Sequence, residues 1–402
     1  MPHPYRELFA APGTTGFALA GLLARIPLPM TGIGIITMLS QLRGSYALAG
    51  AVSATFVLAY ALLSPRISRL VDRHGQGRVL PMATAISVTG LLLLLASARW
   101  QAPDWTLFAS AALAGCMPSL SAMVRARWTA IYRGQPRLQT AYALETVLDE
   151  LSFIAGPPLS VGLCVAAFPQ AGPLAAALLL VLGVAALVAQ RGTEPPVDAR
   201  DATTERRGSV IRLANVRLLA LLMVAMGVIV GSVDIVSVAF AAQLGQPAAA
   251  SLVLSAYAAG SCLAGLLFGA LPLQAPLHRL LLLGGLATAA ATLPLWWAES
   301  ISALTAAALV AGLFFAPTMI VAMSLVERLV PEHSLTEGMT WLLAGLNAGV
   351  ALGAAASGQV VDGAGARAGF AVALGAGIWV ALVALRGHWR LRAHGAPAPH
   401  AA

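Results

Sequence analysis

Three carboxylates, Glu145, Asp149 and Glu150, lie inside one apolar stretch of the chain, and a Gly-Pro-Pro sequence follows them at residues 156–158. A fourth ionisable group, Arg25, lies inside another apolar stretch near the beginning of the chain. Charged side chains at membrane depth are costly, and they face a bundle interior or a water-filled path. A carboxylate that pairs with an arginine and can also be protonated responds to pH. These residue types therefore predict a buried charge pair, which either binds and releases protons or is a permanent structural ion pair.

Membrane-spanning helices must position these charges, because the composition is that of a polytopic membrane protein. Hydrophobic residues make up 59% of the 402 residues and charged residues only 10%, whereas charged residues make up about 25% of a soluble protein. A spanning helix needs about 20 apolar residues. On this criterion we predict twelve spans, at residues 14–38, 45–64, 79–98, 105–126, 139–168, 172–190, 213–242, 248–271, 277–298, 300–325, 335–361 and 366–386.

A polar segment at residues 191–212 separates the first six spans from the last six and is predicted to be a linker. All 24 basic residues are arginines, and twenty of them fall in segments on the N-terminal side of the membrane, including Arg125 and Arg127. The opposite side has three, which are Arg43, Arg99 and Arg367. Because short cytoplasmic loops carry the excess of arginine, we predict that both termini are cytoplasmic.

The composition also argues against several kinds of chemistry. The chain has no lysine, which excludes the P-loop whose lysine contacts nucleotide phosphates. The seven histidines lie in tails or predicted loops, and no histidine and cysteine residues have metal-site spacing, so we expect no metal and no cofactor. The net charge of +8 is explained by the arginines beside the spans, so we expect no nucleic acid partner.

The two charged stretches reach similar depths in the membrane. At 1.5 Å per residue, Arg25 lies roughly 16 Å from the start of span 1, and Glu150 is about as far along span 5. An unpaired arginine at this depth would be costly. We therefore predict that Arg25 pairs with Asp149 or Glu150, and the sequence leaves both partners open.

Glu145 has a different predicted role from the other two carboxylates. At 3.6 residues per turn it shares a helix stripe with Asp149 and Gly156, and it is the one nearest the cytoplasmic end. We predict that it is a gate acid that meets Arg125, Arg127 or the loop after span 4.

Asp234 lies roughly 30 Å along span 7, close to the outer side of the membrane.

Between spans 2 and 3 the chain has a short loop whose sequence is Ser68-Arg-Leu70-Val-Asp72-Arg73-His-Gly75-Gln-Gly-Arg78. It resembles the signature loop of the major facilitator superfamily, G-x-L-x-D-R-x-G-R-[RK]. Ser68 replaces the first glycine, Gln76-Gly77 replaces the basic pair, and Arg78 lies slightly beyond it. The matching positions are Leu70, Asp72, Arg73 and Gly75.

This resemblance implies the fold of the whole chain. The expected structure is an all-α polytopic membrane protein with 12 transmembrane helices in two pseudo-symmetric six-helix bundles. We accordingly expect an N-terminal bundle at residues 1–190, a cytoplasmic linker at 191–212, and a C-terminal bundle with a short cytoplasmic tail at 213–402.

The resemblance also implies a role for the loop between spans 2 and 3. In the family, the aspartate docks on a helix N-terminus of the other half and helps to hold the cytoplasmic side closed. Span 11 begins with Ser334-Leu-Thr-Glu337, which has the capping-box pattern of a helix start. We expect Asp72 to dock there, with Arg73, Gly75 and Arg78 completing the gating loop.

Gly156 and Pro157 in span 5 resemble the helix-5 motif of family members that work as antiporters, although Ser160-Val161 replace its usual glycine pair. The motif therefore favours efflux by exchange. Pro157 permits a bend and Gly156 permits close approach of another helix. Span 11 carries a matching close-packing stripe at Gly345, Gly349 and Gly353.

In the family, spans 1, 4, 7 and 10 line the central cavity, so the resemblance implies which residues face the substrate. The candidates on these spans are Arg25, Met30, Met117, Met226, Asp234, Phe314, Phe315 and Met319, and packing in the core is the alternative for the apolar ones. Asn347 in span 11 is a further candidate as a polar group at the cavity or at a helix interface, with packing as its alternative.

We predict a secondary active transporter that exports a small amphipathic or drug-like molecule in exchange for protons. A proton symporter or facilitator for uptake of a small, possibly anionic metabolite is the main alternative. A membrane-embedded enzyme or a non-transporting sensor is a more distant one, and we expect no enzymatic activity. The partners are the substrate, protons and the lipid bilayer of the inner (cytoplasmic) membrane, and we expect a monomer.

Overall fold

Residues 4–44, 46–197, 209–246, 249–271 and 275–394 are described by a computed structural model of the chain. Helix accounts for 87% of the structure, and the described residues include no β-strand. The predicted linker falls partly outside the described residues, at 198–208.

Two compact units form the structure. The first comprises Met1–Ser209 together with Pro331–Ala344, and the second comprises Val210–Val330 together with Gly345–Ala402. The boundary near residue 209 lies inside the predicted linker. Residues 331–344, however, pack with the first unit, although chain order assigns them to the C-terminal half.

The first unit begins with a short helix and continues with eight longer ones. These are α1 (Pro4–Leu8), α2 (Thr14–Arg25), α3 (Pro27–Arg43), α4 (Tyr46–His74), α5 (Gln76–Arg99), α6 (Asp104–Ala114), α7 (Leu120–Tyr132), α8 (Arg137–Ala166) and α9 (Ala171–Ala189). Single-turn 3-10 helices follow α9 at residues 191–193 and precede α15 at residues 332–334.

The second unit contains the remaining helices, and the last part of α15 belongs to it. These helices are α10 (Ala214–Gln243), α11 (Ala250–Ala270), α12 (Leu277–Ala291), α13 (Leu293–Trp296), α14 (Ile301–Leu329), α15 (Leu335–Ala364) and α16 (Ala366–His394). α15 is thus a continuous helix whose first ten residues pack in one unit and whose remainder packs in the other.

Eleven helical segments among the described residues are long and apolar enough to cross a membrane. The predicted span at residues 105–126 differs, because it is divided into α6 and α7. Pro118 cannot donate a backbone hydrogen bond and disfavours helix at the preceding residue. Gly115 permits α4 to come close: a Cβ atom at Gly115 would lie 2.5 Å from the Cβ of Ala59.

A second interruption separates α2 from α3 at Ile26, immediately after Arg25. Pro27 and Pro29 lack the N–H groups that would bond the carbonyl groups four residues earlier, which ends the regular hydrogen-bond pattern of α2. Arg25 is therefore the last residue of a helix, at a point where the packing of neighbouring helices decides its direction. In contrast, α8 continues without interruption through Pro157.

Candidate functional site

Arg25 points into the first unit and is almost completely buried, with 3% of its side chain exposed. Its Nε donates a hydrogen bond to the carbonyl oxygen of Gly21, at 3.2 Å, within its own helix. Its two terminal nitrogens reach α8, where they form ion pairs with Glu145 and with Oδ1 of Asp149, the latter at 2.9 Å. One of them also bonds the backbone carbonyl of Glu145, at 3.2 Å. The end of α2 is thus fixed to the middle of α8 by charge.

Asp149 is shared between two arginines. Its Oδ2 accepts a hydrogen bond from Nη2 of Arg125 on α7, at 2.8 Å, and its Oδ1 accepts one from the hydroxyl of Ser121, at 2.5 Å. Arg125 is completely buried. Charge-assisted bonds of this kind are short and strong. Asp149 therefore connects α2, α7 and α8 at one point.

Glu145 is completely buried and uses both of its carboxylate oxygens. Oε2 pairs with Arg25, and Oε1 accepts a hydrogen bond from the indole N–H of Trp128, at 2.8 Å. Trp128 is itself buried, in a cluster of aromatic rings. The ring of Phe17 meets it edge-on at 4.6 Å, and the ring of Tyr132 stacks at 6.0 Å. This packing holds the indole in the orientation that Glu145 needs.

Replacing Trp128 with phenylalanine tests that orientation. The change keeps much of the ring packing but removes the donor to Glu145, leaving a buried carboxylate oxygen without its hydrogen bond. We expect a loss of about 1–3 kcal/mol in stability. The measurement is the apparent melting temperature of the purified protein in detergent.

The matched control is Trp105→Phe, because the side chain of Trp105 is 70% exposed. It should leave the melting temperature nearly unchanged. Equal effects of the two substitutions would show that the Trp128 indole contributes nothing through Glu145.

The charges of this cluster balance when both acids are ionised, since Arg25 and Arg125 face Glu145 and Asp149. A proton taken up by either carboxylate leaves one positive charge uncompensated. The two acids are not equally reachable, because 16% of the Asp149 side chain is exposed and none of the Glu145 side chain is. Of the two, Asp149 is therefore the one that water can reach.

A small cavity lies against the exposed side of Asp149. Its volume of about 20 Å³ is room for about one water molecule. Arg25, Tyr60, Ser121 and Met117 are among the residues that line it. Polar side chains and apolar side chains both line the cavity.

The structure resolves the alternatives that the sequence left open for Arg25. Its partner is Asp149, together with Glu145, whereas Glu150 is half-buried on the same helix and its role stays a prediction. The partners of Glu145 differ from the expected Arg125 and Arg127: they are Arg25 and Trp128.

The sequence suggested that Arg125 and Arg127 lie in a loop, but both are completely buried residues of α7. Without them, eighteen arginines remain on the predicted cytoplasmic side against three on the other, so the excess still predicts the same orientation. A signal was present in the sequence: Ser121, Arg125 and Trp128 are spaced four and three residues apart. They form one polar stripe on a helix, and it faces the acids of α8.

Arg127 points to another side of α7, and its side chain caps the C-terminal end of α9. It donates hydrogen bonds to the carbonyl oxygens of Leu187, at 3.0 Å, and Gln190, at 2.8 Å. Cations are favourable at helix C-termini, where carbonyl groups lack partners. Its Nε also bonds the side-chain oxygen of Gln76, at 2.8 Å, and another nitrogen bonds Thr193, at 2.7 Å. Gln76 is one of the three positions where the loop departs from the family signature, and here its side chain connects α5 to α7.

Asp72 caps the start of α15. Its two carboxylate oxygens accept hydrogen bonds from the backbone N–H groups of Thr336, at 3.2 Å, and Glu337, at 2.8 Å. Free N–H groups and the helix dipole make a helix N-terminus favourable for a carboxylate. This is the docking position that the sequence predicted for Asp72.

The side chain of Glu337 extends the contact around Asp72. It accepts a hydrogen bond from Nε of Arg69, at 3.1 Å, and others from Ser209 and the indole of Trp341. Ser68, which replaces the signature glycine, bonds the hydroxyl of Thr340, at 2.7 Å. The departure at this position thus adds a contact.

The rest of the gating loop makes the turn between α4 and α5. Gly75 has φ of +86°, a conformation that favours glycine, and it is the residue that separates α4 from α5. Arg73 and Arg78 are exposed. Gly77, which replaces part of the basic pair, donates its backbone N–H to Glu194 at the start of the linker, at 2.8 Å.

Replacing Asp72 with alanine removes both acceptors from the first turn of α15. We expect a local loss of about 1–2 kcal/mol, because loss of a capping carboxylate has that magnitude. The amide hydrogens of residues 335–340 should then exchange about 5–30-fold faster. Hydrogen exchange measured by mass spectrometry on peptides from this region tests the expectation. Arg73→Ala, an exposed neighbour, is the control, and equal acceleration in that variant would contradict a specific cap.

The helix-5 motif packs against the break between α2 and α3. A Cβ atom at Gly156 would lie 2.9 Å from Cγ of Pro29 and 3.4 Å from the carbonyl oxygen of Ile26. The hydroxyl of Ser160 bonds the carbonyl oxygen of Met30, at 2.9 Å. Gly156 thus holds α8 close to the point where Arg25 leaves α2, and Pro157 lies inside the continuous helix.

The glycine stripe of α15 serves a different pair of helices. A Cβ atom at Gly345 would lie 2.9 Å from the carbonyl oxygen of Ala220 on α10. Gly349 and Gly353 similarly meet the carbonyl oxygens of Val224 and Val228. The stripe therefore permits close packing of α10 and α15 within the second unit.

The sequence of the chain matches the profile of the Major Facilitator Superfamily over residues 17–245 and again over 217–400. The chain belongs to the major facilitator superfamily. No curated protein matches it.

Solved structures of other major facilitator proteins share the fold. A human organic anion transporter, MFSD10 (TETRAN), has a TM-score of 0.68 and 17% identity, covering 96% of this chain and 100% of its own. A bacterial homologue of the iron transporter ferroportin in its outward-facing state has a TM-score of 0.72 and 16% identity, with 94% and 99% covered. The fucose–proton symporter FucP of E. coli has a TM-score of 0.69 and 14% identity, with 92% and 98% covered.

The protein is therefore a multi-pass membrane protein and a secondary transporter that moves a small molecule by alternating access. Within this major facilitator fold, the predicted substrate contacts differ in burial. Met117 borders the cavity beside Asp149, and Phe314 is exposed on α14. Asn347 is half-buried. The others among the apolar candidates are buried, and their contact with substrate stays a prediction: Met30, Met226, Phe315 and Met319.

Asp234 lies on α10 with its side chain exposed. It has no ion-pair partner within the part of the chain that the structure describes. A carboxylate on a membrane helix is costly against lipid. In this respect Asp234 differs from Glu145 and Asp149, whose carboxylates are both paired with arginines.

Proposed function

We propose that this transporter exports a small amphipathic or drug-like molecule in exchange for protons. The observation that carries the proposal is the position of Asp149. It is held by two buried arginines on one side, and it borders a small cavity on the other. A carboxylate in this position changes the charge of the whole cluster each time it binds a proton.

The exchange of substrate for protons follows from that change of charge. Protonation of Asp149 raises the net charge of the cluster by one. A cationic amphipath near the cavity is then repelled, whereas it is tolerated when Asp149 is ionised. Two ligands whose binding is mutually unfavourable have the coupling that exchange requires.

The neutralisation of Arg25 bears on the charge of the substrate. An unpaired arginine at membrane depth would favour an anionic substrate, but Arg25 is paired with two carboxylates. The similar structures are those of proteins named for an organic anion, iron and fucose with protons, so their names point to no common substrate. The neutralised cluster and the helix-5 motif at Gly156 therefore support an uncharged or cationic amphipath.

Uptake by symport, or facilitated uptake, is the second candidate. The same protonation that repels a cation would favour the binding of an anion, and an anion would then travel with the proton. The helix-5 motif, which resembles that of antiporters, favours exchange over this alternative.

We also propose that the contact between Asp72 and the start of α15 is made and broken during the transport cycle. We propose that Asp234 faces water along the transport path. The distribution of arginines supports an inner-membrane protein with both termini cytoplasmic. We propose that it works as a monomer.

The experiment uses the purified protein in sealed proteoliposomes with an imposed pH gradient. The probes are ethidium as an amphipathic cation, bromosulfophthalein as an amphipathic anion, and L-fucose as a neutral sugar. We expect ethidium to move against its gradient only when protons move the opposite way, as reported by a pH-sensitive dye. Movement of the anion or sugar together with protons would support symport instead, and flux of every probe indifferent to pH would refute proton coupling.

A further inference from the structure

A cavity separate from the charge cluster opens at one end of the second unit. It lies where α10 begins and where α14 and α16 end, and its volume is about 400 Å³. Apolar and polar groups both contribute to its wall. The lining residues are Leu213, Ala214, Asn215, Val216, Leu329 and Arg390.

The surroundings of this cavity are strongly basic. Because successive spans alternate in direction, the starts of α10 and α12 and the ends of α14 and α16 lie at the same membrane surface. Among the described residues of the second unit, one acidic residue, Glu327, lies at this end. The arginines there are Arg212, Arg217, Arg279, Arg328, Arg386, Arg390 and Arg392.

Three more of these arginines are close along the chain to residues that line the cavity. Arg212 is next to the lining residue Leu213, and Arg328 is next to Leu329. Arg386 lies one helical turn before the lining residue Arg390 on α16. Arg212, Arg328 and Arg386 are all exposed. The positive charge at this end of the unit would attract an anion.

The face of α16 that carries Arg386 becomes apolar further from the end of the helix. Leu382, Arg386 and Trp389 are spaced four and three residues apart and form one stripe on the helix, and Arg390 lies beside this stripe, one turn after Arg386. Leu382 is 60% exposed and Trp389 is 62% exposed. Tryptophan and arginine at a helix end are typical of the membrane–water interface. The stripe therefore changes from apolar to basic in the direction in which a phospholipid changes from acyl chain to headgroup.

We propose that this cavity binds the headgroup of an anionic phospholipid from the leaflet that it faces. The phosphate lies against Arg390, Asn215 contacts the glycerol part of the headgroup, and an acyl chain follows the stripe past Trp389 toward Leu382. Basic pockets between membrane helices bind acidic headgroups in this way. The lipid connects the beginning of α10 to the ends of α14 and α16. This inference is independent of the proposed proton exchange.

The test titrates detergent-purified protein with phosphatidylglycerol or phosphatidylcholine and counts retained lipids by native mass spectrometry. We expect one retained phosphatidylglycerol and at least tenfold weaker retention of phosphatidylcholine. Arg390→Gln should weaken retention of phosphatidylglycerol at least tenfold, and Asn215→Ala should weaken it less. The melting temperature of each variant shows that it is folded.

Arg392→Gln is the matched control, since Arg392 is exposed at the same helix end but lies off the stripe. It should change retention less than threefold. Equal losses in the two arginine variants would show diffuse attraction rather than a site. Displacement of the lipid by millimolar inorganic phosphate would show that the cavity binds a free anion, and this too would overturn the proposal.

Discussion

Replacement of Arg25 with methionine is expected to reduce the stability of the protein by about 3–5 kcal/mol and to abolish transport. The change leaves Glu145, which is completely buried, without its ionic partner, and an uncompensated buried charge costs that much. Asp149 keeps Arg125 and Ser121, so the loss should originate mainly at Glu145. The measurements are chemical or thermal unfolding in detergent and flux in proteoliposomes.

A second substitution distinguishes the pair from general damage at this position. The double variant Arg25→Met with Glu145→Gln removes both charges, and we expect it to recover much of the lost stability, because removal of a whole buried pair is far less costly than removal of one partner. Arg25→Met with Glu150→Gln is the matched control and should recover little. Recovery in the control, or none in the double variant with Glu145, would contradict the pairing seen in the structure.

The second large effect is expected at Asp149. Asparagine has nearly the same shape but cannot take up a proton. Arg25 and Arg125 bond different oxygens of Asp149, and in asparagine one of these oxygens is replaced by an NH2 group, which cannot accept a hydrogen bond. We therefore expect Asp149→Asn to reduce pH-driven flux to the background of protein-free vesicles. Substrate exchange without a pH gradient should persist in reduced form, because the charge change is lost but the fold is kept. The loss of stability should be about 3–5 kcal/mol, because the completely buried Arg125 loses its carboxylate partner.

Glu150→Gln provides the control for this prediction, since Glu150 is the adjacent carboxylate on α8 and was an equal candidate from the sequence. It should retain pH-driven flux. If Glu150→Gln abolishes coupling and Asp149→Asn does not, the proton site is Glu150. Equal pH dependence of flux in wild type and Asp149→Asn would remove Asp149 from the proposed mechanism.

The positions of the membrane helices were largely accessible from the sequence. Burial of apolar side chains in a bilayer requires long continuous runs, and eleven such helical segments are present among the described residues. The exception, α6 with α7, had its signals in Gly115 and Pro118. Those residues permit a break in the helix but do not require one. In the structure, α4 packs close to Gly115 at the break between α6 and α7.

The partners of the buried charges were less accessible. Counting residues along spans 1 and 5 placed Arg25 near both Asp149 and Glu150, because axial rise fixes depth. Depth alone left the rotation of α8 undetermined. In addition, Arg125 was assigned to a loop, since an arginine near the end of an apolar run is equally consistent with a loop or with a buried ion pair.

The sequence by itself determined that the chain is a helical membrane protein and which family its gating loop resembles, and that resemblance implied that Asp72 docks at the start of span 11. These properties depend on local composition, on motif spacing and on a helix start that any carboxylate of suitable reach would cap. The tertiary structure alone decided which charges meet. The balanced set of Arg25, Arg125, Glu145 and Asp149 exists because the break after α2 and the polar stripe of α7 both turn toward one face of α8. The rotation of packed helices is set by contacts among residues far apart in the chain, so no local pattern specifies it.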